Sequence, residues 1–160
     1  MTTLDRFKLA QANSDSGFAT ALAELESGRK TSHWIWYIFP QLASLGRSET
    51  ARFYGIADLG EACGYLEDGI LYERLRRATE AVRTQLKQGT TFAVLLGSET
   101  DCVKLMSCMT LFQLAAHRLD DGAASPRFAG FVAACAEVLA AGERQGFPRC
   151  AHTVRACASG

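Results

Sequence analysis

The strongest constraint on the fold is the spacing of apolar residues, which recur every three or four positions along most of the chain. Between positions 70 and 86, six of them fall on one face of a helix: Ile70, Leu71, Leu75, Ala78, Val82 and Leu86. Glycine residues such as Gly28, Gly69 and Gly122 separate the periodic segments, and glycine commonly ends helices. The pattern predicts a single all-α domain of about six to eight helices, with at most a short strand pair.

The apolar pattern weakens after Gly142. We therefore expect a helical domain over residues 1–142 and a weakly patterned C-terminal tail over residues 143–160. Asp58 and Ser98 each precede a periodic segment and are predicted to cap a helix. The short apolar run 91–96 fits either a strand or a buried helix, because its period does not distinguish the two.

The charge balance argues against nucleic acid as a partner. The 160 residues carry 17 lysines and arginines and 17 aspartates and glutamates, so no net field attracts a phosphate backbone. No apolar run reaches the ~20 residues of a membrane span, and residues 1–6 do not resemble a secretory signal. We expect a cytoplasmic protein without a membrane partner; the sequence does not indicate its oligomeric state.

The six cysteines are not spaced like a metal site or a disulfide framework. They are Cys63, Cys102, Cys108, Cys135, Cys150 and Cys157. Most lie inside apolar helical patterns, where a free cysteine behaves as a small hydrophobe. The grouping of Cys150, His152 and Cys157 matches no common zinc spacing. We expect reduced thiols and no metal or other cofactor.

Residues 33–41 are unusually aromatic. Both tryptophans of the chain, Trp34 and Trp36, lie in this segment, with His33 and Gln41 at its two ends. A buried indole N–H needs a hydrogen-bond acceptor. The segment fits a dense piece of core or the floor of a ligand pocket, and the sequence leaves both open.

Four segments resemble the DUF1810 family. They are residues 4–11, the run GRKTSHWIWYIFPQ at 28–41, residues 45–56, and the run DCVKLMSCMTLF at 101–112. The resemblance covers about the first three-quarters of the chain. It implies a mainly helical bacterial protein, sometimes labelled calpastatin-like, and supplies no reaction. The family usually has a His-Pro pair where this chain has Asp68 and Gly69, and its C-terminal end also differs.

Three residues of these motifs are candidates for catalysis: His33, Lys104 and Ser107. Lys104 and Ser107 lie three positions apart on a helix and so share a face, where the lysine could act as a base for the serine. Histidine is the residue type most often used as a general acid or base, which makes His33 a candidate. The alternatives are an exposed ion pair between Asp101 and Lys104, and a histidine packed in the core.

The candidate ligand-binding residues combine aromatic rings with hydrogen-bonding groups. They are Arg6, Gln11, Trp34, Trp36, Gln41, Arg52 and Tyr54. An aromatic wall stacks on planar rings, and arginine binds phosphate or carboxylate groups. Alternatively, Arg6 ties the N-terminal helix to loop carbonyls. We further predict that His33 and Lys104 come together beside Trp34 and Trp36.

Three functions remain open after the sequence analysis. The first is a pocket that binds a small anionic, nucleotide-like ligand, with or without hydrolysing it. The second is a non-catalytic module that binds another protein through the aromatic segment. The third is a structural aromatic core with no site. The sequence contains no phosphate-binding loop, dinucleotide fingerprint or serine-hydrolase elbow, so it does not decide whether the protein is an enzyme.

Overall fold

The chain folds into helices joined by short turns. The computed structural model describes residues 4–158, and its elements in chain order are α1 (Asp5–Gln11), α2 (Phe18–Glu26), α3 (Ile35–Ile38), the 3-10 helix η1 (Ala43–Leu45), α4 (Glu49–Phe53), α5 (Leu59–Glu67), α6 (Gly69–Lys87), α7 (Phe92–Leu96), α8 (Glu99–Asp120), α9 (Ala129–Arg144) and α10 (Ala151–Ala158). The predicted all-α class is confirmed. Within residues 4–158 there are ten α-helices, more than expected, because α3, α4 and α7 are too short to show a helical period.

Side-chain caps begin several of these helices. Asp58 accepts a hydrogen bond from the Glu61 amide, and Ser98 accepts one from the Asp101 amide, as predicted. Asp68 caps α6 in the same way. The ambiguous run 91–96 forms α7, which ends at Gly97 with a φ of 81°. Left-handed backbone is accessible to glycine at little cost, so Gly97 allows the abrupt turn into α8.

Helix α8 lies at the centre of the molecule. It packs against α5, α7, α9 and α10, and for this reason it is apolar on nearly all sides. The approach of α9 to α8 depends on Gly142. A Cβ at this position would clash with Met106 Sδ and lie 3.0 Å from Phe92 Cζ. Helix α6 completes the core by packing against α2 and α9.

The C-terminal region is more ordered than the sequence pattern indicates. Helix α9 continues to Arg144, and α10 packs against α8 with Thr153 and Cys157 buried. The periodicity was weak because α10 has only eight residues. Residues 159 and 160 of the expected tail lie outside the described residues. Among residues 4–158, no helix is both long enough and apolar enough to cross a membrane.

A tight loop holds α4 against the rest of the molecule. The Ala43 amide donates to the Ile56 carbonyl and the Ile56 amide donates to the Gln41 carbonyl, each over 2.8 Å. Gly55 permits this closure, because a Cβ there would clash with the Cα and Cβ of Ala43. The loop therefore fixes η1 and α4 beside α8.

Candidate functional site

The two tryptophans have different roles. Trp34 is fully buried, and its indole N–H donates to Glu24 Oε1 over 2.9 Å. It belongs to the core and lines neither of the two concave regions described below. Trp36 lies two residues later on α3 and is only partly buried. Because α3 has only four residues, it shows no helical period, and the sequence pattern could not distinguish the buried tryptophan from the partly exposed one.

Glu24 fixes the backbone that leads into the aromatic segment. Besides Trp34, its carboxylate accepts hydrogen bonds from the Thr31 amide, the Ser32 amide and the Ser32 hydroxyl, at 2.6–2.9 Å. Partial burial raises the pKa of Glu24, but these hydrogen bonds outweigh it and lower the pKa to about 2. Sequence reasoning missed this residue, because a glutamate on the polar side of α2 carries no local sign of such partners.

Around Trp36 the surface forms a concave region that we call the aromatic groove. Its volume is about 640 Å³, and it is lined by His33, Trp36, Tyr37, Glu49, Thr50, Phe53 and Tyr54. The rings of Tyr37 and Tyr54 are 5.1 Å apart, and those of Phe53 and Tyr54 are 4.8 Å apart. The Phe53 side chain is 59% exposed at the edge of the groove. The groove therefore offers several ring faces to solvent.

Lys104 lies against the tryptophan of the groove. Its ammonium nitrogen is 5.4 Å from the centre of the Trp36 ring, and the His33 ring is 6.5 Å from the same ring. Both predicted residues thus contact Trp36. Asp101 does not pair with Lys104, because Asp101 accepts instead from Lys30 Nζ at 2.9 Å. Within residues 4–158, Lys104 has no carboxylate partner.

A second concave region, the Lys104 cavity, lies on the other side of α4. Its volume is about 600 Å³, and it is lined by Gln41, Leu45, Arg47, Ser48, Ala51, Glu99, Thr100, Val103, Lys104, Ser107 and Cys150. Ser48 and Ala51 face this cavity, while Glu49, Thr50 and Phe53 face the aromatic groove. Three predicted site residues, Gln41, Lys104 and Ser107, therefore share the cavity.

Ser107 is poorly placed to act as a nucleophile. Its side chain is buried and its hydroxyl donates to the Val103 carbonyl of the same helix over 3.1 Å. The cavity wall also contains Cys150, which the sequence analysis placed in the weakly patterned C-terminal tail. Burial raises the pKa of Cys150, but hydrogen bonding to the sulfur, which includes the Thr153 hydroxyl at 3.1 Å, outweighs it and lowers the net pKa.

Three other predicted binding residues lie elsewhere. Arg6 donates to the Phe53 and Gly55 carbonyls at 2.8 and 2.7 Å and pairs with Glu61 at 3.0 Å, so it ties α1 to the loop after α4. Gln11 is buried and donates to the Tyr37 carbonyl and the Tyr65 hydroxyl. Arg52 is exposed and lines neither concave region. None of the three lines the aromatic groove or the Lys104 cavity.

The side chains of Cys150, His152 and Cys157 do not come together to form a metal site. The His152 ring contacts Ser44, with Nε2 and Oγ 2.7 Å apart, whereas Cys150 Sγ accepts from the Thr153 hydroxyl at 3.1 Å. In the part of the chain that the structure describes, no three histidine, cysteine or acidic side chains are placed to hold a metal ion.

Residues 1–128 match the model of a protein family that is described as a protein of unknown function, DUF1810. The chain belongs to the DUF1810 family. This member is similar to the crystal structure of a conserved hypothetical protein, Rv1873, from Mycobacterium tuberculosis. The two have 35% sequence identity and a TM-score of 0.77, and the similarity covers 97% of this chain and 96% of that one. None of the curated proteins matches the chain.

The DUF1810 match ends before α9, so Cys150 lies beyond the residues it covers. At the position of the usual His-Pro pair, this member uses Asp68 to cap α6 and to pair with Lys8 at 2.6 Å. Asp68 thus has a structural role here.

Proposed function

We propose that the protein binds a small ligand that carries an anionic group and a planar ring, with a nucleotide as the representative case. The ring would stack in the aromatic groove and the anion would lie beside Lys104. The single observation that carries this proposal is the position of Lys104, which contacts Trp36 and lines the cavity without a carboxylate partner in the described residues.

The electrostatics of Lys104 favour an incoming anion. The Lys104 residue is partly buried, and the face of a tryptophan stabilises a cation beside it by only about 0.5–2 kcal/mol. An anion beside Lys104 would supply the missing interaction. Arg47 is a second cation on the cavity wall, and Glu99 on the same wall can accept hydrogen bonds from ligand hydroxyl groups.

The sizes and surfaces of the two regions suit such a ligand. Each has a volume within the range of about 300–1,000 Å³ that is typical of small-molecule sites. Trp36 and Tyr54 in the groove offer ring faces for stacking. Trp36 and Lys104 are in contact, so one ligand could reach both the groove and the cavity.

The geometry supports binding rather than hydrolysis. His33 lines the groove, whereas Ser107 and its predicted base Lys104 both line the cavity, and no hydrogen bond joins Ser107 to Lys104 in the described residues. The Ser107 hydroxyl donates to its own helix instead. We therefore do not assign hydrolysis to His33, Lys104 and Ser107.

One observation favours a second candidate, a module that binds another protein. Phe53 is 59% exposed beside Tyr54, and an exposed aromatic cluster is typical of protein interfaces. A partner would then contact Phe53 and leave the Lys104 cavity empty. In that case Phe53→Ser would abolish the interaction and Lys104→Met would not.

Thermal shift with matched compounds tests the proposed function. Adenosine monophosphate contains both groups, adenosine lacks the anion, and ribose 5-phosphate lacks the base. A ligand that binds only the native state at 100 times its Kd stabilises it by about 2.7 kcal/mol, which raises Tm measurably. We expect adenosine monophosphate to raise Tm more than either fragment at equal concentration. Equal shifts for all three compounds, or no shift, would contradict the proposal.

A further inference from the structure

A third concave region, which we call the arginine cleft, is formed by residues of α1, α2 and α6. Its volume is about 500 Å³, and its walls include Gln11, Phe18, Ile70, Glu73, Arg74 and Arg77. None of these residues lines the aromatic groove or the Lys104 cavity. The cleft is therefore separate from the site of the proposed function.

Two arginines of the cleft lie over the same aromatic ring. The guanidinium carbon of Arg77 is 5.4 Å from the centre of the Phe18 ring, and that of Arg74 is 5.9 Å from the same centre. Phe18 is buried, so its ring is a fixed support for both side chains. Arg74 also donates over 3.2 Å to Oε1 of Gln11, whose side chain is buried. Arg74 is thus held in position without a ligand, which lowers the entropic cost of binding one.

The acidic side chains beside the cleft are engaged by other cations. Both carboxylate oxygens of Glu73 accept from Arg76, at 3.0 and 2.6 Å. This hydrogen bonding is the main cause that lowers the pKa of Glu73, and the charge of Arg77 contributes less. Asp68, which precedes α6, pairs with Lys8 at 2.6 Å. These carboxylates are therefore already neutralised by partners outside the arginine pair.

On its other side Arg77 lines a neighbouring concave region that contains Glu26 and Glu80. Glu80 pairs with Arg83 at 3.0 Å, and Glu26 is exposed and makes no ion pair in the described residues. Within residues 4–158, neither Arg74 nor Arg77 has a carboxylate partner. Two positive charges on one ring are thus left without a matching anion in this part of the chain.

An anion between the two arginines would remove a repulsion that the fold otherwise keeps. Arg74 and Arg77 lie three residues apart on α6, where side chains are neighbours and like charges destabilise the helix. Each guanidinium presents a planar set of N–H donors that matches the oxygens of a phosphate group. Two of them supply the charge that balances a phosphate dianion. The Ile70 side chain, 52% exposed on the same cleft, offers apolar surface to an organic substituent.

We propose that the arginine cleft is a second binding site, which takes a phosphate group between Arg74 and Arg77. The group is either free phosphate or a small phosphate monoester, because both present the same anionic oxygens. Gln11, which the sequence indicated as a ligand-binding residue, acts here by positioning Arg74. The inference does not rest on the proposed function, since the two sites share no residue.

An NMR titration of the arginine Nε–H resonances with inorganic phosphate, at constant ionic strength, tests the inference on the full-length protein. We expect the Arg74 and Arg77 resonances to shift and to saturate with one Kd, while that of the exposed Arg29 does not saturate. The same Kd should be found in Lys104→Met, which removes the other cation that phosphate could contact. Resonances of Arg74 and Arg77 that do not shift, or that follow Arg29, would overturn the inference.

Variants of equal charge test whether the pair itself binds the phosphate. Arg77→Gln changes an exposed side chain, and its Kd, read at Arg74, should rise at least about tenfold. Arg29→Gln removes the same charge away from the cleft and should leave the Kd unchanged. An unchanged Kd in Arg77→Gln, with a melting curve that shows it folded, would overturn the inference.

Methyl phosphate distinguishes the two sources of the phosphate group. Tighter binding than inorganic phosphate at the Arg74 and Arg77 resonances would support a monoester that contacts Ile70, and equal or weaker binding would support free phosphate. Because these resonances report the cleft alone, their result is independent of ligand binding beside Lys104. Failure of this inference and failure of the proposed function are therefore distinguishable.

Discussion

Glu24 accepts a hydrogen bond from the indole N–H of Trp34 over 2.9 Å, which links α2 to the aromatic segment. The same carboxylate also holds the backbone amides of Thr31 and Ser32. Trp34 immediately precedes α3, so this contact fixes the position from which α3 presents Trp36 to the groove. The interior of the segment is thus core, and its outer side forms the candidate site.

Replacing Glu24 by glutamine should destabilise the protein by about 1–3 kcal/mol. Glutamine keeps one acceptor oxygen but turns an N–H₂ group toward donors, which leaves buried groups such as the Trp34 indole N–H unsatisfied. The free energy of unfolding in urea measures the effect. Glu26→Gln on the same helix is the matched control, because the Glu26 side chain is exposed. Equal stability of the two variants would contradict the role of Glu24.

The contribution of Glu24 should also disappear in acid. Its folded pKa of about 2 lies below the ordinary value of 4.5, so folding favours the charged form. The stabilisation is fully present above pH 4.5 and is lost as the pH falls toward 2. The gap in unfolding free energy between wild type and Glu24→Gln should therefore narrow between about pH 6 and about pH 3. A gap of the same size at both values would show that the carboxylate charge is not what stabilises the fold.

Arg6→Lys should destabilise the fold without affecting ligand binding. The guanidinium reaches the carbonyls of Phe53 and Gly55 and the carboxylate of Glu61 together, which a lysine ammonium does not reproduce. We expect a loss of about 1–3 kcal/mol in chemical denaturation. Arg29→Lys at an exposed position serves as the control and should be neutral. Arg6 would be assigned to ligand binding if the variant kept full stability but lost the thermal shift with adenosine monophosphate.

Gly55→Ala should cost more than an ordinary glycine substitution. The added Cβ would clash with the Ala43 backbone, which cannot move without opening the loop that carries η1 and α4. Overpacking of this kind costs about 1–3 kcal/mol. Gly130→Ala is the opposite case, since a Cβ there would meet nothing within 4 Å and alanine is the better helix former. Melting temperatures should fall for the first variant and not for the second.

The sequence predicted the fold class and the family, and both are confirmed. The caps at Asp58 and Ser98 could be predicted because an N-cap interacts with residues only two or three positions away. The long helices could be predicted because a face of several turns shows its period. The shortest helices, and α10 with two buried residues, showed no such period.

The candidate site was predictable only in part. Motif positions indicated Trp36, Gln41 and Lys104, which do line the two concave regions. Contacts between residues far apart in the chain were not predictable. Asp101 pairs with Lys30 rather than with the neighbouring Lys104, and Cys150 lines the same cavity as Ser107 only because α10 packs on α8. Such contacts depend on helix packing, which local spacing does not determine.

Titration calorimetry with adenosine monophosphate on wild type and Lys104→Met tests the central claim most directly. Lys104 has no carboxylate partner in residues 4–158, so its loss should leave Tm nearly unchanged. Without the ammonium, Kd should rise at least about tenfold, equivalent to about 1.4 kcal/mol. Lys87→Met, at a side chain 60% exposed and away from both concave regions, should bind like wild type. Unchanged affinity in folded Lys104→Met would contradict the account.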